Sequence, residues 1–228
     1  MDSWQTILGT LAALGLAALL ARQFINSAAK RKAEPDRIFS DAIDILHNSR
    51  IDNGSTVATH RLIGTYDGLE TQVQTVADTL NVRKLPSLWL MVTIADALPL
   101  TATFDLMMRA AGPSTFSNFD HLQHTLPLPA GFPEQATLRT DDPGRVLPAH
   151  LVEPHLAPFF RPRAKELLIS PRGLRMVVQL GEADRARYGV FRQADFGETA
   201  VDPVQLRDCL NLLIALRKDI LAWHKSLQ

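Results

Sequence analysis

The chain has 228 residues, with 24 Lys+Arg set against 24 Asp+Glu, so no general field draws in nucleic acid or acidic substrates. Its single cysteine, Cys209, excludes an intramolecular disulfide and implies no oxidising compartment. The length accommodates one globular domain with a sizeable core beside a short N-terminal element.

From Trp4 to Phe24 the sequence reads WQTILGTLAALGLAALLARQF, with no charge before Arg22. As a helix this run spans roughly 27 to 30 Å, the thickness of a bilayer's hydrocarbon core. Residues 1–25 are therefore expected to form a single-pass transmembrane anchor in the lipid bilayer, and residues 26–35 a basic juxtamembrane tether. Met1–Gln5 contains Asp2 and neither Lys nor Arg, which favours an uncleaved signal-anchor. The rival reading, a cleaved signal peptide, has the small residues Ser27, Ala28 and Ala29 in its favour.

Arg22, Lys30, Arg31 and Lys32 follow the apolar run, so the positive-inside rule puts the N-terminus outside and the C-terminal domain in the cytoplasm. The same cations are placed to meet anionic headgroups. Gly9, Ala13, Ala17 and Ala21 recur every four residues and share one side of the helix. Small side chains there let another backbone approach, which makes this a candidate helix-helix contact.

Residues 36–228 read as one soluble α+β domain, a mostly antiparallel sheet packed by helices. Asp36 offers an N-cap to a helix whose apolar face is Ile38, Phe39, Ala42, Ile43, Ile45 and Leu46, ending near His47. A turn is expected at Asp52, Asn53 and Gly54. Period-two patterning from Val57 to Thr79, with Asp67-Gly68 at its centre, predicts a β-hairpin. Leu88–Ile94 is a continuous apolar run, too short for a helix and rich in strand formers. Leu100, Ala102, Phe104, Leu106 and Met108 alternate as a further strand.

Residues 110–163 form an excursion with proline at 113, 127, 129, 133, 143, 148, 154, 158 and 162, which excludes long helices and central strands. Its five phenylalanines, Phe116, Phe119, Phe132, Phe159 and Phe160, are too apolar for a linker and suit a flap over the sheet or a docking segment. Beyond it, Ser170-Pro171-Arg172-Gly173 is a turn between two strands, and Tyr188–Phe196 is expected to extend that sheet. A long C-terminal helix runs from Asp202 to about Lys225, with Asp202 as N-cap and Pro203 in the first turn. Its stripe of Leu206, Cys209, Leu213, Leu216, Ile220 and Trp223 suits packing on a sheet or self-association.

Chemistry is sparsely signalled. His121 and His124 stand three apart, and His150 and His155 flank Glu153, but neither pair matches HExxH and the segment is not helical, so no metal site is assigned. Asp141 and Asp142 before Pro143-Gly144, and Asp120 beside His121, offer acid-base pairs, but Asp-Asp-Pro-Gly is more simply a turn. Cys209 sits on an apolar stripe, as an inert thiol does. Arg161, Arg163, Lys165, Arg172, Arg175, Arg185, Arg187 and Arg192 make a basic segment that Glu166, Glu182 and Asp184 are expected to neutralise on a solvated sheet face.

The phosphate-binding and nucleophile-elbow motifs are missing, so neither a cofactor nor catalytic residues are assigned. The anchor and contact faces suggest a non-enzymatic interaction protein, an accessory, assembly or scaffold subunit whose partner is a membrane protein or a second copy. The competing readings are a membrane-tethered enzyme or small-ligand sensor with its site under residues 110–163, and an anionic-lipid-binding surface module.

Overall fold

The computed structural model describes Leu19, Arg22 and residues 37–53, 60–80, 85–191 and 194–228. The chain divides into two compact units, Met1–Arg37 and Ile38–Gln228. In the first, Leu19 and Arg22 are helical and exposed. No helix among the described residues is long and apolar enough to cross a membrane; the rest of the expected anchor and tether lies outside them.

Among the described residues of the second unit, nine strands make one sheet: β1 (His47–Asn53), β2 (His60–Tyr66), β3 (Leu69–Asp78), β4 (Ser87–Ile94), β5 (Phe104–Met108), β6 (His124–Leu126), β7 (Ala136–Thr140), β8 (Ala164–Ser170) and β9 (Gly173–Glu182). Three helices accompany them: α1 (Ala149–Val152), a single turn; α2 (Arg185–Phe191); and α3 (Pro203–Ser226). The strand order is β1-β2-β3-β4-β9-β8-β5-β7-β6, with every pairing antiparallel. This is the α+β class expected of the soluble domain.

Local chemistry explains the hairpins. Asp67 and Gly68 both have positive φ, 52° and 76°, the conformation that a two-residue turn needs if its twist is to match the strands it joins. At the β8–β9 turn, Ser170 pairs with Gly173, whose φ is 138°, and a Cβ there would run into the Ile94 carbonyl. Only glycine lets β9 start so close to the end of β4.

One face of the sheet is sealed by α3, which packs on β4 and β9 and buries Leu206, Cys209, Leu210, Leu213, Ile214, Leu216 and Ile220. Asp202 caps it, accepting from the Val204 N–H at 2.9 Å, as the sequence predicts. Phe39, Leu62, Leu90, Phe104, Leu156 and Phe159 complete this core. The stripe of α3 therefore serves intramolecular packing.

Four expectations need correction. The helix assigned to residues 36–47 gives way to turns at 39–42, a 3-10 turn at Ile43–Ile45 and then β1. Ile38, Phe39, Ala42, Ile45 and Leu46 are buried as the helical spacing implies, but two successive turns bury the same residues. Asp52 and Asn53, read as a turn, end β1, an edge strand too polar to show alternation.

The strand placed at Leu100–Met108 begins only at Phe104, and all five of its residues are buried, including Asp105, so it is covered on both faces. The described residues of Tyr188–Phe196 do not extend the sheet: Arg185–Phe191 is helix, and β9 already has β4 on one side and β8 on the other. The excursion at 110–163 is more than a flap. It supplies β6 and β7, the latter in the proline-free interval between Pro133 and Pro143. It also supplies α1 and a strap at 112–122 across the second face of the sheet.

Candidate functional site: a buried charge cluster under a strap

The second face follows from the strand registers. One row runs Arg61, Gln74, Met91, Val177, Glu166 and Met107 across β2, β3, β4, β9, β8 and β5. The adjacent row runs Ile63, Gln72, Thr93, Arg175, Leu168, Asp105 and Arg139. Asp105 and Glu166 are thus diagonal neighbours on adjacent strands, with Arg175 and Arg139 on either side.

The strap closes over this place. Phe116 packs against Trp89 with ring centroids 5.3 Å apart, and the two belong to a small core with Val76, Met107, Phe119 and Val177. Ser117 Oγ donates to Glu166 Oε1 and accepts from the Phe119 N–H at 3.1 Å. The Arg139 guanidinium lies 5.0 Å over the Phe119 ring, and its Nη1 reaches Asp120 at 3.5 Å and the Phe119 carbonyl at 3.4 Å. Thr115 Oγ1 donates to the Ala77 carbonyl at 3.4 Å.

Beneath the strap, Glu166 is 0% exposed and Asp105 2%. Arg175 Nη2 meets Glu166 Oε2 at 3.1 Å. Asp105 Oδ1, Arg139 Nε, Arg175 Nε and Trp89 Nε1 are buried without a hydrogen-bond partner among the described residues. Burial, reinforced by the Glu166 charge and only partly offset by Arg175, pushes the Asp105 carboxyl well above the usual carboxylate range. Burial also raises Glu166, against the opposing pull of Arg175, Ser117 and Lys165. With two buried carboxyls around one committed guanidinium, the charged form of each is disfavoured.

Beside the cluster, at the root of the strap, is an open groove of about 450 Å³. Trp89, Met107, Phe119 and Pro113 give it an apolar floor; Asp78, Ser87 and Glu182, a cross-strand row, form one rim. Lys165 Nζ, on another wall, donates to the Met108 and Arg109 carbonyls at 2.6 and 3.0 Å.

Of the residues singled out in the sequence, Asp120, Lys165, Glu166, Arg175 and Glu182 lie at the cluster or the groove, and the others fall elsewhere. Gly9, Ala13, Ala17, Ala21, Lys30, Arg31 and Lys32 lie outside the described residues, and Arg22 is exposed on a helical turn. His121, His124 and His150 are exposed; His155 pairs with Asp219 on α3 at 2.8 Å. The described residues contain no group of three or more His, Cys, Asp or Glu placed to hold a metal. Asp141 accepts from the Thr103 N–H at 2.7 Å and hydroxyl at 2.9 Å; burial pushes its carboxyl up, but these bonds outweigh it and hold it below the ordinary value. Asp142 accepts from the Gly144 N–H at 2.9 Å, completing a turn. Burial, aided by the Asp208 charge, raises the Cys209 thiol to about 12.

The solvated basic face needs correction in part: Arg161, Arg163, Arg172 and Arg185 are exposed, but Glu166 is buried and Arg175, which pairs with it, is half-buried. Sequence reasoning missed this cluster. Its signal was Asp105 inside the apolar strand FDLMM and Glu166 inside AKELLIS, single charges where the pattern calls for apolar residues.

No protein-family model and no curated protein matches the chain. Among solved structures it is similar to the crystal structure of the mycobacterial trehalose monomycolate transport factor A, TtfA. The identity is 8% and the TM-score 0.40, over 82% of this chain and 94% of that chain. A likeness at that level says nothing of what this chain does.

Proposed function

We propose that this chain is a membrane-anchored, non-enzymatic interaction protein, an accessory, assembly or scaffold subunit whose folded domain lies on the cytoplasmic side. The apolar run Trp4–Phe24 and the cations after it support the anchor and its orientation. The observation that carries the interaction role is the second sheet face. The strap's aromatic cover reaches Val76, Trp89 and Met91, while Ile63, Gln72, Gln74 and Thr93 lie beyond it, half-buried and side by side. Apolar and uncharged polar groups so mixed, with Arg61 beside Gln74 at the end of the row, suit a protein interface, where arginine is enriched and the other charged residues are depleted.

The test is purification of the full chain from its native membrane in mild detergent, with a photo-crosslinking residue at Gln72 or Gln74. A stoichiometric protein partner crosslinked there and not from Arg207, exposed on α3, supports the reading. A chain that extracts from the membrane with carbonate, or that comes through alone, overturns it.

A second reading has one observation behind it, the groove of about 450 Å³ where the proline-rich excursion begins. Its volume suits a small amphiphile. Neither His121 nor His150 lines it. Native mass spectrometry of the purified chain distinguishes the two readings, since a sensor carries a bound small molecule of defined mass.

A further inference from the structure

Asp105 and Glu166 are the buried carboxylates of the described sheet, and they are unequally provided for. Glu166 has Arg175 on one oxygen and the Ser117 hydroxyl on the other. Asp105 Oδ1 has no hydrogen-bond partner among the described residues. Arg139 faces Asp105 across β7, but its Nη1 is turned to the Phe119 carbonyl and Asp120 on the strap. An ionised carboxylate in that position would be both desolvated and beside a like charge, so the pair keeps a proton.

Among the described residues, the strap forms a roof over the pair. Its contacts are Phe116 on Trp89, Ser117 on Glu166 and Phe119 under Arg139. Its root is Gly112, at φ 87° with open space around it, a position able to pivot. We propose that residues 112–122 are a proton-linked strap, closed while one of Asp105 and Glu166 is protonated and released when both carboxylates are ionised.

The linkage follows from solvation. Lifting the strap lets water reach both carboxylates, and the protonated one then ionises as an ordinary acid does, so each opening event releases about one proton. Closure is therefore favoured at low pH and opening at high pH. The charged groups facing the pair are Arg175 from β9, Arg139 from β7, Lys165 from β8 and Asp120 from the strap itself. His121 also lies on the strap, exposed to solvent, and the Asp105→Asn profile separates its contribution from that of the carboxylates. An open strap bares Val76, Trp89, Met107 and Val177, the floor of the small core.

The test is amide hydrogen exchange of the full chain in detergent between pH 5.5 and 8.5, each rate divided by its intrinsic chemical rate. Peptides covering residues 114–122 are compared with those of the β2–β3 hairpin. The expected result is strap protection that falls with rising pH, by up to about tenfold per unit for one linked proton, with hairpin protection unchanged. Asp105→Asn, which has no proton to lose, should flatten the strap's profile. A flat profile in the unmodified chain, a fall shared equally by the hairpin, or an unaltered slope in Asp105→Asn overturns the proposal. Should that variant fail to fold, the unmodified chain decides alone.

Discussion

Ser117 donates its hydroxyl to the wholly buried carboxylate of Glu166, which Arg175 grips from its other oxygen. A loop thus holds a core residue of the sheet in place. Ser117→Ala removes the donor, leaves a buried charged acceptor short of one bond, and frees the Phe119 N–H as well. A loss of about 1–3 kcal/mol is expected, read from the urea midpoint at an unchanged m-value. A variant as stable as the parent would mean that the contact does not hold the strap.

The pH dependence of stability has a definite sign. Burial raises the Asp105 and Glu166 carboxyls, so the folded chain binds protons more tightly than the unfolded chain. That contribution is full below the unfolded pKa values and is lost as pH rises through the folded ones. Asp141, held below its ordinary value, acts in the opposite sense and loses its smaller contribution on acidification. The urea midpoint should therefore decline on the alkaline side of the carboxylate range. Asp105→Asn should gain on the parent as pH rises; a gap that widens against the variant instead would refute the assignment of the proton.

Two glycines separate backbone strain from collision. At Gly68, with φ 76° and nothing within 4 Å of an added Cβ, Gly68→Ala meets strain alone and should cost about 1 kcal/mol. At Gly173 the same substitution drives a methyl into the Ile94 carbonyl and should cost about 3 kcal/mol or more, with β8, β9 and β4 all disturbed. Denaturant titration of the two variants side by side checks the order, and equal costs would contradict it.

Cys209 is buried on α3 with its thiol raised to about 12, so almost no thiolate forms near neutral pH. A thiol reagent should label the native chain only as fast as it opens, and at full speed in denaturant. Prompt labelling of the native chain would show that α3 is not seated as described.

Where sequence and fold agree, the reason is local. Asp67-Gly68, Ser170-Pro171-Arg172-Gly173 and Asp202-Pro203 are turn or cap chemistries that work within four residues, and each stands where the pattern put it. Leu88–Ile94 was legible because its unbroken run of apolar and β-branched residues is too short for a helix, even though Met91 and Thr93 on its second face are only half-buried. β1 was not, since its place depends on the β2 edge rather than on its own polar residues. The helix at Arg185–Phe191 was misread as strand because nothing nearby in the chain reveals that β9 is already paired on both sides. The charge cluster is the extreme case: Asp105, Ser117, Glu166 and Arg175 come from four separate segments, and no spacing connects them.

The position of β9 also bears on how the chain is made. β1 to β4 emerge from the ribosome as a meander, and β4 then shows a bare apolar edge of Leu88, Leu90, Val92 and Ile94 until residues 173–182 have been synthesised. Such an edge is a template for pairing with any other strand, including that of a neighbouring nascent chain. Closing the sheet requires contacts between distant parts of the sequence, which slows folding. The hazard of misassembly is therefore concentrated during translation, before the strand that fills the centre of the sheet has been made.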